Sequence, residues 1–123
     1  MKTYSKGARG ERELLHFLNY KGFAVIRAPS SGGFITPVDI IAIKNGTVLA
    51  FEIKAWSRKP KINKKQLNGL RSWCNRAGAM GFIAWRSSGN KWMFLPLKDA
   101  ETNKYEDENW IKMEDFLDVL MIK

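Results

Sequence analysis

Cysteine and histidine are almost absent from this chain: its 123 residues hold one of each, Cys74 and His16. A single cysteine rules out an internal disulfide and suits a reducing compartment. One cysteine with one histidine cannot build an all-Cys/His zinc site. His16 falls in the first predicted helix, off the face that carries Glu11, and reads as a helix-surface residue rather than a general base. No apolar run approaches the roughly 20 residues needed to cross a bilayer, and the N-terminus lacks the apolar core of a signal peptide. The expectation is a soluble, intracellular (cytoplasmic) protein with no membrane partner. Internal repeats and low-complexity blocks are missing too, and the length suits one domain, 1–123, able to bury a core without staples.

Acidic residues are the most informative scarcity. Residues 1–98 contain four carboxylates, Glu11, Glu13, Asp39 and Glu52, against 18 Lys and Arg. Residues 99–123 reverse the balance, with eight acids and three bases. The first part therefore reads as a basic core suited to phosphate, and the tail as an acidic capping segment that would repel it.

What is present around the scarce acids is a hairpin. Ile40-Ile41-Ala42-Ile43 and Val48-Leu49-Ala50-Phe51 are apolar strand formers, and Lys44-Asn45-Gly46-Thr47 lies between them. Asn-Gly between such runs signals a two-residue type I′ turn, because both central residues need positive φ. Lys44 then pairs with Thr47, and the register carried outward sets Asp39 opposite Glu52, with Cβ atoms roughly 4.5–5.5 Å apart. Glu52 and Lys54 share that face, since strand side chains repeat every second residue. Two like charges opposite each other destabilise a sheet unless something binds them. Mg²⁺ suits them: it takes hard oxygen ligands, commonly one or two carboxylates plus waters and substrate phosphate. The Ile53 carbonyl could add a ligand, and Lys54 could steady charge developing on a phosphate. The plainer alternative is an ordinary charged surface ladder.

Residues 7–20 predict an amphipathic helix, with Leu14, Leu15 and Leu18 on the face of Glu11. A carboxylate at the end of an apolar face needs a partner. Two remain open, the helix N-terminus with its favourable dipole and the metal site.

Basic residues cluster at Lys2, Lys6, Arg9 and Arg12, and again at Arg58, Lys59, Lys61, Lys64 and Lys65. The second run follows the Glu52–Lys54 strand without an acid, which favours phosphate contact over a solvated linker. Such contacts position DNA and carry little sequence information, so structure-selective action is expected. Ser30-Ser31-Gly32-Gly33 reads as a Ser/Gly connector whose hydroxyls could reach a phosphate.

The remaining elements follow from pattern and punctuation. Strands are expected over 23–28, 39–43, 48–55, 80–86 and 91–97, making five, the last two joined by Ser87-Ser88-Gly89-Asn90. A helix over 63–77 should bury Leu67, Leu70, Cys74 and Ala77 and stop at Gly78, and another should span 113–121. Trp56, Trp73, Trp85, Trp92 and Phe94 are many large rings for one small sheet to cover, which suggests a homodimer interface.

Asp39, Glu52 and Lys54 resemble the Asp…Glu-x-Lys core of the PD-(D/E)xK nuclease superfamily. Lys6-Gly7-Ala8-Arg9-Gly10-Glu11-Arg12-Glu13 and Gly22-Phe23-Ala24-Val25-Ile26-Arg27-Ala28-Pro29 narrow the resemblance to archaeal-type Holliday junction resolvases, found in archaea and their viruses. The similarity runs through the 37–54 hairpin and more weakly to about residue 98. Val38 precedes the aspartate where the superfamily pattern has proline, and Pro37 stands one position earlier.

The resemblance implies an α/β, restriction-endonuclease-like fold: a central mixed five-stranded sheet flanked by helices. It implies a catalytic set of Glu11, Asp39, Glu52 and Lys54, with Ser31 near the scissile phosphate and Arg12 and Arg27 holding the junction backbone. It also implies a homodimer whose two sites cut opposite strands of a four-way DNA junction. The expected function is a Mg²⁺-dependent endodeoxyribonuclease, with Mn²⁺ as a substitute, that resolves four-way junctions by hydrolysis without a covalent enzyme intermediate. Metal ligands would come from Asp39, Glu52, Ile53 and Glu11. DNA contacts would come from Lys6, Arg9, Arg12, Arg27, Ser30, Arg58, Lys59, Lys61, Lys64 and Lys65. The alternatives are a nuclease of the same fold acting on another branched or mismatched duplex, and a basic DNA-binding module without turnover. Nothing in the sequence marks a contact with a sliding clamp or another replication protein.

Overall fold

The computed structural model describes residues 2–28, 37–89 and 91–120, with side chains from Gly10 onward. Chain order is α1 (Lys2–Tyr20), β1 (Ala24–Arg27), β2 (Ile40–Lys44), β3 (Thr47–Lys54), α2 (Lys64–Ala77), β4 (Ala79–Arg86), β5 (Trp92–Pro96), α3 (Leu97–Glu101), a 3₁₀ turn at Asp107–Asn109, β6 (Ile111–Lys112) and α4 (Met113–Leu120). The strands form one sheet in the order β1-β2-β3-β4-β5-β6. Only β3 and β4 pair in parallel, and α2 makes the crossover that a parallel pair requires.

The Asn45-Gly46 turn forms as the sequence predicts, with φ of 49° and 86° at its two residues, and β2 pairs with β3 from Lys44–Thr47 to Ile40–Phe51. α2 is capped at its start by Asn63, whose side chain accepts the Gln66 amide at 2.8 Å, and at its end by Gly78 in the left-handed region. Leu67, Leu70 and Cys74 of that helix are buried, whereas Ala77, in its last turn, is exposed and does not join them.

Two further expectations change. The sheet has six strands rather than five, because Ile111 and Lys112 pair with Phe94 and Met93 of β5. A two-residue strand has no periodicity to detect; only its neighbour creates it. The first helix starts at Lys2 rather than residue 7, continuing through Gly7 and Gly10. At Gly10 the missing side chain has a use: a Cβ there would lie 3.1 Å from Cδ of Arg86, so glycine lets α1 settle close onto the end of β4.

Each face of the sheet carries a core. One joins Leu14 and Leu18 of α1 to Phe51, Phe82, Trp92, Phe94 and Phe116 of α4. Phe94 and Phe116 stack with centroids 4.3 Å apart. The other packs Leu67, Leu70 and Cys74 of α2 with Leu97 and Ala100 of α3, Ile83, Leu95 and Trp110. The acidic tail thus covers both faces, through Trp110 on one and Phe116 on the other. It also pairs with the basic part of the chain, Glu101 with Arg71 at 2.8 Å and Asp107 with Lys59. Trp92 and Phe94, expected to need a partner surface, are covered within this chain.

Candidate active site

The site lies where β2 and β3 diverge. Beyond Ile40–Phe51 the ladder does not continue to an Asp39–Glu52 pair. The Asp39 amide instead donates to the Phe51 carbonyl at 2.8 Å, and its own carbonyl accepts the Ala28 amide at 2.9 Å. Asp39 and Ile40 thus both oppose Phe51, which makes a bulge. Val38 accordingly lands in the core on the α2 side, together with Ile41 three residues on. The bulge re-aims the aspartate: Oδ2 accepts the Ile53 amide at 2.7 Å. The directly opposed pair is therefore replaced by a carboxylate anchored across the end of β3. A strand residue offers its N–H and C=O to the same side, so the Ile53 carbonyl is turned toward Asp39 as well.

Glu52 and Lys54 project from one face of β3, with Nζ 3.1 Å from Oε2. Lys54 is well enclosed, its side chain 13% exposed, and its ammonium lies 5.1 Å from the centroid of the Trp56 ring. Glu11 approaches from α1 and meets Arg27, at the end of β1, at 3.4 Å. Because α1 begins at Lys2, Glu11 lies well inside the helix, away from the N-terminal dipole that was one of its two expected partners.

The electrostatics of these acids are mutual. Burial, and then the charge of Asp39, push the Glu52 carboxyl up to about 7 against the opposing pull of Lys54. Burial also raises Asp39, opposed by the Ile53 amide and Lys54. Glu11 is raised by burial and by Asp39, opposed by Arg27. Three carboxyl groups that resist ionising together form a place where a cation would be welcome. Among the described residues no three acidic, His or Cys side chains close into a ready cage. The oxygens of Asp39, Glu52 and the Ile53 carbonyl are hard donors, of the kind that would suit a divalent cation such as Mg²⁺ together with water.

A pair of residues that sequence inspection passed over holds α1 in place. Arg86, 4% exposed at the end of β4, donates to Glu13 from Nε at 2.8 Å and from Nη2 at 3.0 Å. Trp92 Nε1 adds a third bond to Glu13 at 3.1 Å. The signal available was an arginine ending an apolar strand and one spare acid among four.

Of the expected DNA contacts, Arg12, Arg58, Lys61, Lys64 and Lys65 are exposed. Arg27 and Lys59 are engaged by Glu11 and Asp107. Lys6 and Arg9 belong to α1 but precede the described side chains, and Ser30 and Ser31 lie outside the described residues.

A sequence model of the family described as archaeal Holliday junction resolvase (Hjc) matches residues 2–123. The chain belongs to the archaeal Holliday junction resolvase family. Among proteins similar to this resolvase-family chain is the crossover junction endodeoxyribonuclease Hjc of Sulfurisphaera tokodaii. It is 40% identical over 83 residues, 64% of this chain and 58% of that protein. The Hjc of Methanocaldococcus jannaschii is 39% identical over 94 residues, 76% of this chain and 68% of that one. The crossover junction endodeoxyribonuclease Hje of Saccharolobus islandicus is 32% identical over 119 residues, 93% and 88% of the two chains. The match thus spans less than two thirds of the Sulfurisphaera protein but most of the Saccharolobus one. A solved structure of Archaeoglobus fulgidus Hjc, described as a Holliday junction resolvase from an archaeal hyperthermophile, superposes with a TM-score of 0.65. It is 28% identical and covers 87% of this chain and 88% of its own. The α/β nuclease-like fold expected from the resemblance is therefore present, with one more strand.

Proposed function

We propose that this member of the resolvase family is a Mg²⁺-dependent endodeoxyribonuclease that resolves four-way DNA junctions by paired nicks. The observation that carries the reading is the group at the end of β3. Asp39 is anchored on the Ile53 amide and Glu52 has its carboxyl raised to about 7, with the Lys54 ammonium beside it. The names of the similar proteins, crossover junction endodeoxyribonuclease and Holliday junction resolvase, support the substrate.

In this reading Asp39, Glu52 and the Ile53 carbonyl would hold the metal, with Mn²⁺ able to replace Mg²⁺, and Glu11 would help to hold metal or water. When bound, the ion would polarise the phosphodiester and offset the charge that builds during in-line hydrolysis. Lys54 places a positive charge beside the scissile phosphate, and Ser31 offers it a hydroxyl. Lys6, Arg9, Arg12, Ser30, Arg58, Lys61, Lys64 and Lys65 hold the backbone of the DNA arms. Arg27 and Lys59 join them when phosphate displaces their present carboxylate partners. Residues 1–98 form the catalytic core, 99–123 cap it, and the chain works in the cytoplasm in recombination and repair. Two copies related by a two-fold axis would present two such sites to a two-fold substrate, cutting opposite strands. Among the described residues no helix is long and apolar enough to cross a membrane.

The test compares a synthetic four-way junction with its matching linear duplex in Mg²⁺, using the wild type and Asp39→Asn. Symmetrical nicks on the junction alone, abolished in Asp39→Asn while binding survives, are expected. Sedimentation of the complex should show two chains per junction. Equal cutting of both substrates would mean a less selective nuclease of this fold, and tight binding without cutting by the wild type would leave a DNA-binding module.

A further inference from the structure

The lysine at the end of β3 has a second neighbour besides Glu52. Its ammonium sits between the Glu52 carboxylate, 3.1 Å away, and the face of the Trp56 indole, 5.1 Å from the ring centroid. Trp56 is itself 44% exposed, an unusual position for so large an apolar ring. Its backbone is tied down, because the Trp85 Nε1 donates to the Trp56 carbonyl at 2.8 Å. Trp85 in turn packs edge-on against the buried Trp110, with centroids 5.3 Å apart. Trp85 is also the residue paired with Lys54 across the parallel β3–β4 register. A chain of contacts therefore leads from the core through Trp85 to the backbone at Trp56, and so to the ring lying on Lys54.

From this arrangement we infer that Trp56 is a positioning residue for Lys54, keeping its ammonium at the site when Glu52 turns to the metal. The inference rests on the reading of Lys54 as a residue that acts on the scissile phosphate. A Glu52 carboxylate shared with a divalent ion gives up much of its hold on the lysine, and the two cations repel. A flexible four-carbon side chain freed in this way would swing into water. The indole face attracts a cation through its quadrupole, carries no charge and offers no oxygen, so it retains the lysine without competing for the metal. This divides the work: Glu52 serves the ion, and Trp56 keeps the lysine from leaving.

The experiment compares Trp56→Leu, which removes the π face but keeps apolar bulk, with Trp56→Phe, which restores a face. Lys54→Ala is run beside them. Single-turnover cleavage of a four-way junction should slow about tenfold in Trp56→Leu, in the range of one desolvated cation–π contact. Junction KM should stay within about twofold, and Trp56→Phe should recover most of the rate. A rise in KM with kcat intact would instead make Trp56 a DNA contact and overturn the inference. Equal loss in the Leu and Phe variants, in step with a lower Tm, would reduce the ring to packing and also overturn it.

A readout free of turnover comes from NMR of the wild-type protein. The ε-methylene protons of Lys54 should be displaced upfield by the indole ring current both without metal and in saturating Mg²⁺. Random-coil positions in Mg²⁺ would overturn the inference even if the variants failed to fold. Full activity of Lys54→Ala would overturn the reading of Lys54 itself. An inactive Lys54→Ala beside a fully active Trp56→Leu would overturn the role of Trp56 alone.

Discussion

Glu52 is the residue through which pH and stability are linked, and through which the proposed metal would act on both. Its carboxyl moves from an ordinary 4.5 to about 7, chiefly through burial and then through Asp39. Below pH 4.5 the group is protonated in both folded and unfolded chains, so it costs the fold nothing. Above about 7 it is ionised in both, and the metal-free fold carries a penalty of about 3 kcal/mol. Asp39 and Glu11 shift in the same direction. The metal-free protein should therefore lose stability as pH rises from 4.5 to 7, and Mg²⁺ should restore it at pH 8 by binding the folded state. Urea unfolding at pH 5 and pH 8, with and without Mg²⁺, measures this. Glu52→Gln should flatten the metal-free pH dependence and lose most of the Mg²⁺ effect. A wild-type stability that climbs over the same interval would contradict the coupling.

Helix α1 depends on an ion pair more than on its own helix-forming tendency. Its first half contains Gly7 and Gly10, which disfavour helix, and no acid lies in its first turn. The Glu13–Arg86 pair, with Trp92 as a third partner, fastens it to the ends of β4 and β5. Arg86 is the only polar or charged residue fully buried among the described residues. Removing one partner from such a pair leaves a buried charge or donor unsatisfied. Glu13→Gln, which strips the buried Arg86 of its counter-charge, should cost about 3 kcal/mol, and Arg86→Met less, because the Glu13 side chain it leaves behind is 40% exposed. The double variant should cost clearly less than the two losses added together, because a buried pair replaced as a unit leaves nothing unpaired. Additive losses in a double-mutant cycle would show that the pair is not the anchor. Since Glu11 rides on the same helix, metal-dependent cleavage should fall in the single variants even where folding persists.

At the scale of the whole molecule, charge is divided between a basic part and an acidic tail that turns back onto it. Asp107 on Lys59 and Glu101 on Arg71 offset part of the basic charge. The exposed Arg58, Lys61, Lys64 and Lys65 remain at the surface beyond β3. Junction affinity should fall linearly with the logarithm of salt concentration. Replacing Lys61 and Lys64 together by Gln should make the slope shallower by about two, leaving the cleavage rate of bound junction near that of the wild type. An unchanged slope, measured by titration in Ca²⁺ to prevent cutting, would place the DNA elsewhere on the surface.

Local rules were enough for much of this molecule. Asn45-Gly46 permits the turn that sets the β2–β3 register, Asn63 and Gly78 bound α2, and the scarcity of acids draws attention to Asp39 and Glu52, which the fold partly buries side by side. These features depend on neighbours in sequence or on side-chain chemistry alone, so they are legible without coordinates. The bulge at Asp39 is not, because it depends on contacts the turn does not set: the Asp39 amide on the Phe51 carbonyl, the Ala28 amide on the Asp39 carbonyl, and Val38 in the core. The β6 pairing, the Glu13–Arg86 anchor and the Trp85 bond behind Trp56 have the same origin: each joins positions distant in the chain, and only packing brings them together. Sequence decided which groups could do the chemistry; tertiary structure decided which way they point and what holds them there.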